Sequence, residues 1–393
     1  MKLLVIASSL DLTQPFSSTP SWWQLLKGLY ELGVEVLAAP YQGPMIESLW
    51  WRALSNPCQA ECDVFKAVRN ALRRVRGRNA TPTSGETATD RFVRGLVHTC
   101  IRPKWERHLT LILEREHDID AVLILTVPLN HLTGLPAALR RRFGVPMVYY
   151  DGDVPASLPS FAGFASGFKI YQGADPSEYD LMLSNSQGGC DEMRKLGARD
   201  VRVLHYAADP GVYSPLELPQ DIDVFFYGHT VEYRREWIDA MVTQPSRLLP
   251  EVRFAVRGSG LDMDLGRAER LPYLSFSKLR EYVCRSKINL NITRLAHASV
   301  HGSSTARIFE LAALGCCVVS NPIAGLESWF EPGREMIVVR DSAQAAATIR
   351  QLLGDEVERR EIGRRARERF LAEHTYLHRA RQLVEHLSSI KHV

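Results

Sequence analysis

Arg307 and Glu310 stand three residues apart in the string His301-Gly302-Ser303-Ser304-Thr305-Ala306-Arg307-Ile308-Phe309-Glu310. On a helix that spacing puts a guanidinium and a carboxylate on one face. A fixed Arg grips a diphosphate through two parallel N–H donors, and a carboxylate one turn further along accepts two vicinal hydroxyls, such as those of a ribose. The plain alternative is an ion pair between the two, worth ~0.2–0.5 kcal/mol. Spacing alone leaves both open.

Upstream, Asp223-Val-Phe-Phe-Tyr227-Gly228-His229-Thr230 is an apolar strand running into a glycine turn, with Arg234 six residues beyond the glycine at a helix start. Strand, glycine turn and helix N-terminus together offer backbone N–H groups and a positive dipole end to a phosphate. An arginine in a first helical turn opposes the dipole, so Arg234, or Arg235 beside it, answers an anion. Arg257-Gly258-Ser259-Gly260 is a second glycine loop after the next apolar run; ordinary turns share that pattern. Ser303, Ser304 and Thr305 suit the N-cap of the helix carrying Arg307, and Gly315 ends it.

The first half of the chain holds a different set. Tyr149-Tyr150-Asp151-Gly152-Asp153 places two carboxylates two residues apart at a strand end. That pattern resembles the Asp-x-Asp with which metal-dependent sugar transferases hold a divalent ion on a diphosphate. A turn built by Asp-Gly-Asp is the alternative. His131 follows the apolar run Ala121–Val127 and could serve as a general base or touch a sugar hydroxyl, or simply cap the surface.

These groups need strand ends and helix starts to position them. Short apolar runs alternate with helical patterns: 3–7, 35–38, 121–127, 147–150, 181–184 and 201–205, then 223–227, 253–257, 287–292, 316–320 and 336–339. The alternation predicts two parallel α/β layers, and in such sheets ligands meet the carboxyl ends of the strands. Between the two series, 207–219 holds three prolines and cannot be a helix interior or a central strand. A domain boundary is expected there, giving 1–208, 209–372 and a closing helical segment 373–393. From Glu356 to Ile390 apolar residues recur at helical spacing, with His374-Thr375 as a bend.

Whole-chain numbers set the limits. A chain of 393 residues, 45% hydrophobic and 24% charged, folds as two or three globular domains. A net charge of +3 gives no reason to expect a nucleic-acid partner. Seven scattered cysteines without Cys-x-x-Cys spacing argue against a disulfide framework or a zinc site, and a reducing cytoplasm fits. No apolar run reaches the ~20 residues of a membrane span. Basic charge concentrates in 66–107, where eleven Lys/Arg face three acids. A basic amphipathic helix begins there at Val64. It is either a core-packed helix with a solvated face, or a peripheral contact, through 64–107, with anionic lipid at the inner membrane face or with a phosphorylated acceptor; nucleic acid ranks last, because no aromatic residues interleave with the charges.

Ser286-Lys-Ile-Asn-Leu-Asn-Ile292, Arg307-x-Phe309-Glu310-x-x-Ala313-x-Gly315 and Gly325-Leu-Glu327-x-x-Phe330-x-Pro332-Gly333-x-Glu335 occur in that order. The set resembles CgeB-like glycosyltransferases over about 220 to 385, within the GT-B nucleotide-sugar transferases. Val201-x-Val203-Leu-His-Tyr-Ala207-Ala-Asp209-Pro resembles that family's interdomain junction, and His374-Thr375-Tyr376-x-x-Arg379 its closing helix. The resemblance implies two facing Rossmann-like domains, with a C-terminal helix returning to the first. Its donor would be a nucleoside-diphosphate sugar, UDP-sugar foremost, with no other cofactor. It also implies Gly228, Arg234 and Arg307 at the diphosphate, with Ser303 and Ser304 nearby, and Glu310 on the ribose; His229 and Arg257, in the two glycine turns, are further donor-site candidates. Related family 4 enzymes carry an acid where this chain has Gly302, eight residues before Glu310, so one sugar contact is absent or moved.

The expected activity is therefore sugar transfer to a small-molecule, glycan or lipid-linked acceptor. The resemblance also implies that no metal is required, since Arg234, Arg307 and a helix dipole would meet the leaving charge. His131, Asp151 and Asp153 are the base candidates. Alternatives are a sugar-nucleotide epimerase or hydrolase of the same fold, or a non-catalytic nucleotide or carbohydrate binder.

Overall fold

The computed structural model describes residues 1–9, 20–64, 88–161, 170–228, 234–258 and 263–390. The chain divides into two compact units. The first comprises Met1–Gln14, Leu25–Leu204 and Ala380–Val393; the second comprises Pro15–Gln24 and His205–Arg379.

Among the described residues the first unit carries seven parallel strands: β1 (Lys2–Ser9), β2 (Glu35–Gln42), β3 (Arg52–Ala53), β4 (Ala121–Leu125), β5 (Met147–Asp151), β6 (Leu181–Ser184) and β7 (Val201–Val203). Their spatial order is β3-β2-β1-β4-β5-β6-β7. Leu3 to Ala7 are buried without alternation, as a parallel strand covered on both faces requires. Trp105, on the helix Arg102–Arg115, packs with Leu4, Ile6, Val122 and Ile124 in one core. The β7 edge is shielded by the end of the helix Tyr376–Ser388. Gln382 Nε2 donates to the Val203 carbonyl at 3.2 Å, and Arg202 donates to the His386 carbonyl at 3.1 Å. Pairing that edge with side-chain and helical groups removes a template for unwanted strand addition.

The described residues of the second unit form six: β8 (Ile222–Tyr227), β9 (Phe254–Arg257), β10 (Glu269–Arg270), β11 (Ser286–Asn291), β12 (Val318–Ser320) and β13 (Ile337–Val338), in the order β10-β9-β8-β11-β12-β13. Period-two alternation divides β8 between two cores. Val224 and Phe226 pack with Val256, Leu290 and Val319, while Phe225 packs with Ile308, Phe309 and Phe330.

Several local expectations shift. The run 121–127 leaves the sheet at Leu125, because Thr126 takes φ +52°. The 201–205 strand stops at Val203, and the 316–320 strand starts at Val318. Thr305 is the N-cap of the helix Ala306–Ala313 but makes no side-chain cap bond; the Ser304 hydroxyl instead accepts from the Tyr206 backbone N–H at 3.0 Å. The tail is two helices, Glu356–Glu373 and Tyr376–Ser388. At the break, His374 donates from Nε2 to the Trp329 carbonyl and accepts from Arg379 at Nδ1, each at 3.0 Å. That pairing fixes one neutral tautomer. Of the basic stretch, 65–87 lie outside the described residues; beyond them come the helix Ala88–Leu96, a π turn Val97–Ile101 and the helix Arg102–Arg115.

Candidate functional site

In a doubly wound sheet the strand order reverses at one point, and the crevice opens beyond the carboxyl ends of the two strands that flank it. In the second unit those strands are β8 and β11. β8 delivers Tyr227 and Gly228; β11 delivers Ile292, Thr293 and Arg294.

Two arginines from separate elements converge on one atom there. Arg234 Nε and Arg307 Nη1 both donate to the Ile292 carbonyl, at 3.0 and 3.1 Å. Arg234 is the N-cap of the helix Arg235–Ile238, and Arg307 lies in the first turn of Ala306–Ala313. The Arg307 guanidinium rests 4.9 Å from the Tyr227 ring centroid and 5.6 Å from that of Phe226, a cation–π seat that fixes its plane. Its Nε is buried without a hydrogen-bond partner. A Cβ on Gly228 would come within 2.7 Å of Arg307 Nη2, and a Cβ on Gly258 within 1.8 Å of the Gly228 carbonyl oxygen. Space requires the glycine at 258, where the obstacle is backbone, while Gly228 sits at φ +156° against the movable end of Arg307; the two glycine turns touch backbone to backbone. Arg257 lies 5.0 Å from the Tyr273 ring and also keeps a buried Nε without a partner. The set is cationic and carries unspent donors, which is chemistry for an anion.

Glu310 and Arg307 do not pair with each other. Glu310 is buried and accepts from the Tyr213 hydroxyl at 2.8 Å and the Tyr227 hydroxyl at 3.2 Å, one on each oxygen. Burial raises its pKa, against the pull of Tyr213, Arg307 and Tyr227. Each carboxylate oxygen retains a second lone pair for a ligand hydroxyl.

The two tyrosines were not anticipated, and neither were Arg294 and His297. Arg294 Nε donates to His297 Nδ1 at 3.0 Å. His297 is buried, and burial with the Arg294 and Arg234 charges pushes its pKa well below the usual value, so the ring is neutral. Its helix, Leu295–Ser299, is too short to leave a periodic signal. Ser303 and Ser304 are buried just before Ala306–Ala313. His229 lies outside the described residues.

The first unit has its own reversal point, between β1 and β4. There Thr126, in the left-handed region that β-branched residues avoid, donates from Oγ1 to Ser8 Oγ at 3.1 Å. His131 follows in the short 3-10 turn Leu129–His131, its Nδ1 2.9 Å from the Tyr41 hydroxyl. Burial, with His98 nearby, lowers its pKa to about 4. Asp151 is buried with both oxygens engaged: Oδ1 accepts from the Asp153 N–H at 3.0 Å, and Oδ2 from Ser157 Oγ at 2.6 Å and Tyr171 Oη at 2.8 Å. Burial raises its pKa as well. Asp151 thereby holds the turn that carries the half-buried Asp153. Among the described residues no cluster of three His, Cys, Asp or Glu could hold a metal, and no helix is long and apolar enough to cross a membrane. None of the seven cysteines forms a disulfide.

A family model described as "Glycosyl transferase-like" matches residues 234–385. No curated protein matches the chain in sequence. Solved structures do match over nearly full length. A sucrose-phosphate synthase from Thermosynechococcus elongatus is 14% identical, with TM-score 0.63, covering 99% of this chain and 98% of that one. An alpha,alpha-trehalose-phosphate synthase (UDP-forming) from Burkholderia vietnamiensis is 12% identical, with TM-score 0.64, over 99% and 100%. HepE of Anabaena, in complex with UDP, is 13% identical, with TM-score 0.60, over 99% and 100%. At these identities the likeness is one of fold: two parallel-sheet Rossmann-like units of the GT-B class, with a glycosyltransferase-like segment across most of the second.

Proposed function

We propose that the chain is a CgeB-like glycosyltransferase that moves a sugar from a nucleoside diphosphate, UDP foremost, to a hydroxyl or amine acceptor. The observation that carries this reading is the seat of Arg307: a guanidinium fixed on Tyr227 against Gly228, with an unspent buried donor, at the reversal point of the second sheet. The UDP in the HepE complex and the UDP-2-fluoro glucose in an E. coli trehalose-6-phosphate protein support a uridine donor.

Arg307 and Arg234 hold the diphosphate and neutralise the charge that grows on it as the glycosidic bond breaks, so the leaving group departs without a metal. Ser303 and Ser304 contribute the backbone before the helix, Arg257 the second glycine turn, and Glu310 receives the ribose hydroxyls beside its tyrosines. The first unit takes the acceptor. His131 stays neutral above about pH 4, which makes it available as a base but a weak one. Asp153, carried by the Asp151 turn, is the second candidate.

Thermal shift with uridine, guanosine, adenosine and thymidine diphosphates and their sugars tests the donor site. At a 100-fold excess over Kd, one of them stabilises the chain by ~2.7 kcal/mol. Arg307→Ala abolishes that shift. Absence of any shift at millimolar nucleotide defeats the reading.

A further inference from the structure

The first sheet has a second recess, at the amino ends of β1 and β2, the opposite end of the strands from Thr126, His131 and Asp151. A cavity of about 300 Å³ is lined there by Tyr30, Glu35, Leu49, Trp50, Trp51 and Arg52. That is the small end of the ~300–1,000 Å³ range of ligand clefts, room for a sugar ring or two.

Its floor is aromatic and rigid. Trp51 is buried and donates from Nε1 to the Ile46 carbonyl at 2.9 Å. Trp50, half-buried, stands beside it with ring centroids 6.3 Å apart. Tyr30 and Leu49 project at 52% and 88% exposure, a concentration of solvent-facing apolar surface that marks a contact site.

The rim decides the ligand. Lys2 pairs with Glu35 at 3.5 Å, Glu116 at 2.6 Å and Asp118 at 2.9 Å, and Arg52 pairs with Glu116. Two cations face three carboxylates, so phosphates and anionic lipid find no surplus of positive charge. A wholly apolar partner would strip water from these ions without replacing it. A neutral polyhydroxylated ring meets both demands: its C–H face stacks on indole and phenol, and its hydroxyls bond to the Glu35 carboxylate and Arg52 guanidinium.

We propose that this recess is a surface site for a neutral glycan, remote along the strands from the reversal point of its own sheet. The full-length chain, titrated with glucose, mannose, galactose and N-acetylglucosamine tetramers, reports binding by saturation-transfer NMR and tryptophan fluorescence. At least one tetramer is expected to bind. Trp50→Ala and Tyr30→Ala each weaken it about tenfold or more, while the UDP-induced thermal shift of the same samples is unchanged. Tyr30 is exposed enough that its truncation keeps the fold. The proposal is overturned if no tetramer binds, if binding survives both substitutions, or if the substitutions instead dissociate a sugar-independent oligomer. Loss of the UDP response in wild type counts against the transferase reading and leaves this site standing.

Discussion

Gly228 and Gly258 separate two ways in which one methyl group can damage a site. At Gly228 the added carbon meets the far end of the Arg307 side chain, which can move only by leaving its seat, on a backbone at φ +156° that side-chain-bearing residues rarely adopt. Gly228→Ala is expected to weaken nucleotide binding about 10- to 100-fold, the worth of a charged hydrogen bond, with a smaller loss of stability. At Gly258 it meets the Gly228 carbonyl oxygen, which cannot move without the strand. Gly258→Ala therefore lowers both affinity and melting temperature. Calorimetric titration beside thermal melts checks the pair; equal effects in the two variants would break the distinction. At this scale Arg234, Arg257, Arg307 and Glu310 were legible, because an arginine at a strand end or first turn and an Arg-x-x-Glu step are local patterns. Tyr213 was not: it sits 97 residues from Glu310 within a proline-rich segment, and only the fold joins them.

Among elements, the helices Ala306–Ala313 and Glu356–Glu373 approach through Gly363 and Gly315. A Cβ on Gly363 would stand 2.2 Å from the Gly315 carbonyl oxygen. In an open helix, glycine to alanine gains ~1 kcal/mol of propensity. Here overpacking against backbone reverses the sign, and Gly363→Ala is expected to destabilise by about 1–3 kcal/mol. Urea denaturation measures this as a lower midpoint at unchanged m-value; a stabilised variant would refute the close contact. Eleven of the thirteen strands among the described residues were readable as apolar runs. β3 and β10 were not, since two residues at a sheet edge leave no periodicity to detect. The motif His374-Thr375-Tyr376-x-x-Arg379 was visible as a bend, but its hydrogen bonds to the Trp329 and Tyr206 carbonyls, far off in sequence, were not.

For the molecule as a whole, buried histidines set the response to acid. Burial holds His131 at about 4 and His374 at about 3, pushes His297 well below its usual value, and lowers His108 and His386. The unfolded chain protonates them near 6.5, so it binds more protons than the native state once pH drops below that value. Their contribution is full above pH ~6.5 and is lost as pH falls toward 4, at up to ~1.4 kcal/mol per pH unit for each ring. Asp151, Glu178 and Glu310, raised by burial, act with the opposite sign as pH falls through their raised values. Stability measured between pH 7 and 5 should decline, and His374→Gln should flatten that slope while costing stability at neutral pH. An unchanged slope would exclude His374 from the titration.

The partition of the chain also carries a consequence for its birth. The first unit opens at Met1 but includes Ala380–Val393, so it is completed only after the 175 residues of His205–Arg379 have been made. At ~5–20 residues per second that interval is on the order of 10 to 35 s. Throughout it, Val201–Val203 waits on the ribosome as a bare edge, without the helix that later covers it. Nascent-chain chaperones thus have a defined window and a defined strand to guard.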